Sequence, residues 1–388
     1  MMGKKQQITV GVGVAAVLGL GMYWLGLGPL APPPSTDTPE SSVEAEFTLR
    51  NVTLEQPDEN GVLLWRVKAE EATYSPDRSV AMFTRPDGEL FQDGEVIYNV
   101  TADTGEMRDN GNTIILRGNI VATGVKNGAV LRGKEMEWRP QEDVLVMRQA
   151  VTGTHPQLRA TADEFRVFNR ENRMELLGNV VANTVVEDPK TEPWLKLQAQ
   201  QLLWSWDQEM IDSPQPLRIE QFKDATITEV VQGQRGQVNL AEDVATLQGA
   251  VTMQFLALPL TLTSEVLEWR VAEEQINVNQ PLTLTRPTDG LVVTGRQGAM
   301  DLANEVIRVS QDVVAVRQQP QSRLTTDQLT WTIPDQILVA EGRVNYQQVN
   351  PALNLNGSRG IGRLQEGTFV VDGGQNNGGQ VVTEIVPN

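Results

Sequence analysis

Arg132-Gly133-Lys134-Glu135-Met136-Glu137-Trp138 is the stretch that decides the fold, because its last three residues run apolar, polar, apolar. That is the period of two required of a strand with one buried and one solvated face. Similar heptads begin at Lys68, Thr101, Thr161, Gln198, Gln234, Thr263, Arg296 and Thr325, with starts 29 to 37 residues apart. The seventh residue is apolar in all nine: Tyr74, Met107, Trp138, Val167, Trp204, Leu240, Trp269, Leu302 and Trp331. The fifth is small or apolar, as in Met136, Phe165, Leu202, Val238, Leu267, Met300 and Leu329. The sixth is polar except at Leu203.

After a polar turn, each heptad leads into a second strand with its own signature. Ile114, Leu116, Gly118, Ile120 is one copy and Met174, Leu176, Gly178, Val180 another. Ala245, Leu247, Gly249, Val251 and Leu338, Ala340, Gly342, Val344 continue the set, while Gln149, Gln215, Gln280 and Gln311 fill the glycine slot elsewhere. The repeat is therefore a β-hairpin of about 32 residues, and nine copies predict some eighteen strands. No amphipathic helical stretch interrupts them, which removes βαβ folds. A hairpin cannot bury its apolar face alone, so the copies must stack or wrap, as a β-solenoid or as an open β-jelly roll of facing sheets.

Outward from the repeats, Ile8 to Leu30 is a run of 23 residues without a charge, preceded by Lys4 and Lys5. At about 1.5 Å per residue a helix of that length crosses a hydrocarbon core of about 30 Å. The flanking charges place residues 1–7 in the cytoplasm, residues 8–30 in the membrane, and the bulk of the chain across it. The run exceeds the usual apolar core of a cleaved signal peptide, and Pro29 and Pro32 to Pro34 occupy the cleavage region. Gly11, Ala15 and Gly19 form a small-residue face suited to packing on another transmembrane helix, although glycine is common in such helices anyway. Residues 31–44 read as a proline-rich spacer. Two prolines in 187–194 mark a bend that divides the array into a first module, 45–186, and a second, 195–356. The tail, 357–388, is rich in Gly and Asn and is either disordered or adds strands to the array.

The chain has no cysteine, one histidine and a formal charge of −18. Disulfides and thiolate metal centres are excluded, and so acidic a surface repels nucleic acid. His155 lacks any evident catalytic partners, and Glu135 and Glu137 alternate with apolar neighbours as solvent-facing strand residues do. Phosphate-gripping, dinucleotide and acidic metal loops are absent. The sequence predicts a protein that is not an enzyme and has no cofactor and no metal.

Ile115-Leu116-Arg117-Gly118-Asn119-Ile120-Val121-Ala122 and Met174-Glu175-Leu176-Leu177-Gly178-Asn179-Val180-Val181-Ala182 resemble the lipopolysaccharide-export family of the periplasmic bridge. The order of anchor, spacer and β-repeats resembles its membrane-anchored LptC branch. So does the opening Phe47-Thr48-Leu49-Arg50-Asn51-Val52-Thr53-Leu54 followed by Leu64-Trp65-Arg66-Val67-Lys68-Ala69. The resemblance covers roughly residues 1–350 and departs in length, since a second LptA- or OstA-like module follows the first. It implies an open β-jelly roll at the inner membrane, facing the periplasm, whose apolar groove carries the acyl chains of lipopolysaccharide. It also implies two partners, an inner-membrane ABC transporter that supplies the lipid and the energy, and a soluble LptA-like bridge protein joined by strand addition. A homodimer through like edges is left open.

The inward residues expected to line the groove are Met136, Trp138, Phe165, Val167, Trp204, Val238, Leu240, Trp269, Met300, Leu302 and Trp331, with Ile120, Val180 and Val251 opposite. Gly118, Gly178, Gly249 and Gly342 are expected where the strand bends or a ligand passes close. At about 0.8 kcal/mol per CH₂, one chain of about fourteen carbons costs roughly 10 kcal/mol in water, which is the physical need for such a groove. The competing reading is a membrane-anchored scaffold whose same residues pack together as a closed core.

Overall fold

The computed structural model describes residues 47–77, 79–126 and 128–372. The predicted anchor, its Gly11, Ala15 and Gly19 face, and the spacer lie outside the described residues. Among the described residues no helix is long and apolar enough to cross a membrane.

The described chain is all-β, a single antiparallel sheet of 27 strands. The first third holds β1 (Phe47–Pro57), β2 (Leu63–Tyr74), β3 (Ala81–Thr84), β4 (Asp87–Gln92), β5 (Glu95–Thr101), β6 (Thr104–Arg108), β7 (Thr113–Gly124), β8 (Val130–Arg139) and β9 (Val144–Thr154). Then come β10 (Leu158–Phe168), β11 (Arg173–Thr184), β12 (Trp194–Ser205), β13 (Met210–Ser213), β14 (Leu217–Lys223), β15 (Thr226–Gly233), β16 (Arg235–Asn239), β17 (Val244–Phe255) and β18 (Leu260–Arg270). The rest are β19 (Gln275–Val278), β20 (Leu282–Arg286), β21 (Leu291–Gly295), β22 (Gln297–Asp301), β23 (Val306–Arg317), β24 (Ser322–Thr332), β25 (Ile337–Gln348), β26 (Leu353–Arg363) and β27 (Thr368–Asp372).

The nine hairpins account for eighteen of these strands, so the expected number is too low. The additional ones have a physical cause. In three places the neighbour of a long strand is interrupted halfway, between β3 and β4, β13 and β14, and β19 and β20. Each interruption contains proline: Pro86, Pro214 with Pro216, and Pro281. Proline supplies no N–H to the ladder and fixes its own φ, so the strand resumes as a separate piece. The returning strand is broken in turn at residues 102–103, Gln234 and Arg296. Flanking strands β1, β26 and β27 complete the count. The sheet passes through the proline-containing bend without a break, since β11 and β12 pair from Arg173↔Ser205 to Asn183↔Lys196.

Most long strands carry a bulge near the middle, such as the register shift between Arg117 and Ile120 where β7 pairs β8. The residues of the glycine slot sit there. Gly118, Gly178, Gly249 and Gly342 have φ of +75°, +72°, +78° and +98°, and Gln149 and Gln311 adopt the same left-handed region at +66° and +67°. Gln215 and Gln280 fall in the proline interruptions instead. A bulge bends its strand, and repeated at one level it divides the sheet into two walls whose apolar faces share one core.

The first wall carries a row of directly paired residues. It runs Tyr74, Ala81, Met107, Ile114, Trp138, Leu145, Val167, Met174 and Trp204. It continues Ile211, Val238, Ala245, Trp269, Ile276, Met300, Ile307, Trp331 and Leu338. The second wall carries a row of smaller residues, among them Val100, Ala122, Leu131, Gly153, Ala160, Ala182, Leu197 and Ile219. Big side chains of one wall lie over small ones of the other. A methyl at Gly153 would come within 2.8 Å of the Phe165 ring, and one at Gly298 within 2.7 Å of Leu282.

Candidate lipid-binding interior

Met136, Trp138, Phe165, Val167, Trp204, Val238, Trp269, Met300, Trp331, Ile120, Val180 and Val251 are all buried in one continuous apolar interior. Leu240 and Leu302 are half-buried and pack at its margin. In those two units Val238 and Met300, the fifth residues of their heptads, occupy the row. Leu240 and Leu302 follow the strand ends, donating their backbone N–H to Glu209 O and Glu274 O at 2.8 Å. Ile120, Val180 and Val251 sit immediately past the bulges, paired with Gly133, Ala199 and Ser264.

The interior is closed. A cavity of about 20 Å³ lies between Leu131, Gly153 and Leu158 on one side and Phe165, Leu176 and Trp204 on the other. Another of about 60 Å³ lies near the C-terminal end, beside Leu324, Leu338, Tyr346 and Phe369. Both fall below the roughly 300 Å³ of an ordinary small-molecule site. Two apolar walls held apart in water would forgo about 25 cal/mol for every Å² they can cover, so they meet. The side chains expected to line the groove pack against one another here.

The margin opposite the bulges is a seam rather than a continuous ladder, and side chains close it. Trp65 of the second wall donates its indole N–H to Gly111 O of the first at 2.8 Å. His155, in the turn between β9 and β10, packs edge-on against Trp204. The Arg286 guanidinium lies over the Trp331 ring at 4.6 Å, and Tyr346 stacks on Phe369 at 4.4 Å. Ion pairs Arg170–Asp93 and Lys223–Glu274, both at 3.7 Å, join turns and strand ends of opposite walls. A cleft of about 180 Å³ opens on the same seam between Gln157, Val185, Pro193 and Leu195 and facing residues Glu209, Leu240, Asp243 and Val271.

Charge is concentrated at the seam and outside it. Burial alone would raise the Asp289 carboxyl, but the Arg286 hydrogen bond and the charges of Arg286 and Arg317 hold it below its ordinary value. Burial lowers the His155 imidazole, whose Nδ1 accepts the Gln157 N–H at 3.2 Å. Among the described residues no group of three His, Cys, Asp or Glu side chains is placed to hold a metal ion.

Three of the bulges carry a side-chain brace. Asp103 Oδ2 accepts the Asn119 amide at 2.9 Å beside Gly118, and Asp163 Oδ2 does the same for Asn179 beside Gly178. Asp327 receives the Arg343 guanidinium at 2.6 Å beside Gly342. The signal is present in the sequence, since each aspartate is the third residue of a heptad whose slot is glycine.

Comparison with curated proteins finds no significant match. Among solved structures, the chain is similar to the crystal structure of LptH, the LptA homologous periplasmic component of the conserved lipopolysaccharide transport device from Pseudomonas aeruginosa. The sequences are 11% identical, the match covers 32% of this chain and 85% of that one, and the TM-score is 0.29. Residues 13–187 match the family described as lipopolysaccharide-assembly, LptC-related. That match ends at the start of the proline-containing bend and takes in β1 to β11. Over residues 13–187, a little under half of its length, the chain is similar to the LptC-related lipopolysaccharide-assembly family.

Proposed function

We propose that the protein is a non-enzymatic component of lipopolysaccharide export that holds acyl chains between its two walls. The observation that carries this reading is the unbroken apolar row from Tyr74 to Leu338, which crosses both modules without a polar residue in the first wall. A chain bound there would exchange wall-to-wall contacts for wall-to-lipid contacts of similar worth, so the walls can part at little net cost. The seam would let a sugar headgroup stay in water. Residues 8–30 would anchor the chain in the inner membrane, with the β-array in the periplasm.

The partners follow from the sheet ends. β1 has no neighbour on its outer side among the described residues, and β27 covers only Arg359–Arg363 of β26. Unpaired edges accept strands from similar proteins. In this reading the β1 end receives lipid from an inner-membrane ABC transporter, and the β26 end passes it to a soluble LptA-like bridge protein. Like edges also permit a homodimer.

A membrane-anchored scaffold is the second reading, and the closed interior favours it. Photo-crosslinking separates the two: a benzophenone amino acid at position 138 or 204 of the anchored chain should form adducts with lipopolysaccharide in cells. Adducts confined to protein at both positions would leave the scaffold standing.

A further inference from the structure

Four indoles belong to the apolar row of the first wall, and each brings one N–H donor to it. Trp138, Trp204, Trp269 and Trp331 are each the next-to-last residue of their strand, in β8, β12, β18 and β24. Each is at most 4% exposed, and each has a buried Nε1 with no hydrogen-bond partner. Trp65, equally buried, has its N–H satisfied by Gly111 O. A buried donor without an acceptor is destabilising, and phenylalanine would fill much the same space without one. The same orphan therefore recurs four times at one structural position.

The spacing is as regular as the chemistry. Between Trp138 and Trp204 the row passes through Leu145, Val167 and Met174, which is four strand steps. Four further steps lead to Trp269 and four more to Trp331. At about 4.8 Å per step the indoles stand roughly 19 Å apart along the array. Contacts with His155 and Arg286 place Trp204 and Trp331 at the seam, and Trp138 and Trp269 hold the same place in their strands. Trp204 borders the small apolar cavity as well.

We infer that these four indole N–H groups are hydrogen-bond stations for the ester or amide carbonyls of acyl lipids held in the interior. An acyl chain lying with its methyl end toward the bulges and its headgroup outside the seam places its carbonyl at the depth of the strand ends, where the donors lie. Hydrocarbon alone cannot satisfy an indole N–H, whereas a carbonyl can accept it without bringing charge into the interior. The inference rests on the acyl-binding reading above and adds what that reading lacks, a polar feature that sets the depth of the ligand.

The test compares an ester-linked myristoyl lysophospholipid with its ether-linked tetradecyl counterpart, which lacks the carbonyl. Both are titrated against the full chain in a maltoside detergent. The native protein should bind the ester about three- to tenfold more tightly, the worth of one hydrogen bond. The fourfold Trp→Phe variant should bind the ester and the ether lipid alike, whatever its affinity for either, and circular dichroism reports that it folds; an ester preference kept by the folded variant would overturn the stations. Equal affinity of the native protein for both lipids would overturn the indole stations and leave acyl binding intact. Failure of both lipids to bind would overturn the stations and acyl binding together.

Discussion

The imidazole of His155 stands edge-on to the indole of Trp204, with ring centroids 4.7 Å apart and planes at 73°. The contact joins the turn after β9 to the end of β12, so one aromatic pair bridges the seam between the walls. Aromatic pairs in this arrangement contribute about 0.5–1.5 kcal/mol beyond the area they cover. His155→Ala should therefore lower the unfolding free energy by about that amount and speed the entry of an acyl probe.

The same histidine makes closure sensitive to acid. Burial lowers its pKa from 6.5, so the folded site prefers the neutral ring and the unfolded chain binds the proton more readily. The contribution is whole above the ordinary imidazole value and is lost as pH falls through it toward the folded one. Urea unfolding followed from neutral to mildly acidic pH should show this loss in the native protein. His155→Phe, which keeps a ring against Trp204 and cannot titrate, should lack it.

Gly118 and Gln149 hold the same place in their repeats and nearly the same φ, +75° and +66°, but their surroundings differ. A methyl at Gly118 would collide with Asp103 Oδ2 in a conformation that already disfavours a Cβ. Gly118→Ala should cost about 1–3 kcal/mol. Gln149 already bears the left-handed penalty, so Gln149→Gly should be neutral or stabilising by up to about 1 kcal/mol. Chemical denaturation of the two variants checks both signs, and equal destabilisation would remove the bulge from its structural role.

The heptads were legible because half-buried strands advertise themselves by alternation, and Met136 with Trp138 or Leu267 with Trp269 are plain examples. The half-strands were not. Pro86, Pro214 and Pro281 carry the same local signal whether the chain turns back or only loses one ladder bond before resuming, and sequence periodicity cannot separate those outcomes. Closure of the interior was equally hidden, because it depends on pairs such as Gly153 beneath Phe165 that lie on different strands. The Asp103–Gly118 brace, by contrast, was readable: the fifteen-residue interval recurs from Asp163 to Gly178 and from Asp327 to Gly342.

Asp289 ties Arg286 to the seam, accepting from Arg286 Nε at 2.9 Å and forming an ion pair with Arg317 at 3.6 Å. The side chains of Arg286 and Asp289 are only 13% and 16% exposed, so water screens this pair far less than Arg343–Asp327 at 82% and 39%. The carboxyl titrates below its ordinary 3.8, so its stabilisation is complete above that value and disappears as pH falls through the folded one. Asp289→Asn should cost about 1–3 kcal/mol at neutral pH. Its acid unfolding limb should be shallower than that of the native protein, as acid titration followed by circular dichroism would register.

Lys223 and Glu274 offer the most direct test of whether the walls part. Their ion pair is solvent-exposed enough to be worth about 0–1 kcal/mol, so breaking it alone should change little. Holding it shut is another matter. The chain contains no cysteine, so cysteines placed at 223 and 274 can be joined by a short disulfide-containing bismaleimide without competing reactions. Stapling fixes the second-wall end of β14 to the first-wall turn after β18 and removes the open state from the ensemble. Acyl-probe binding should weaken at least about tenfold on stapling and return when the linker is reduced. Unchanged binding by the stapled protein would mean that lipid enters without this part of the seam opening, and the parting of the walls near β14 and β18 would have to be abandoned.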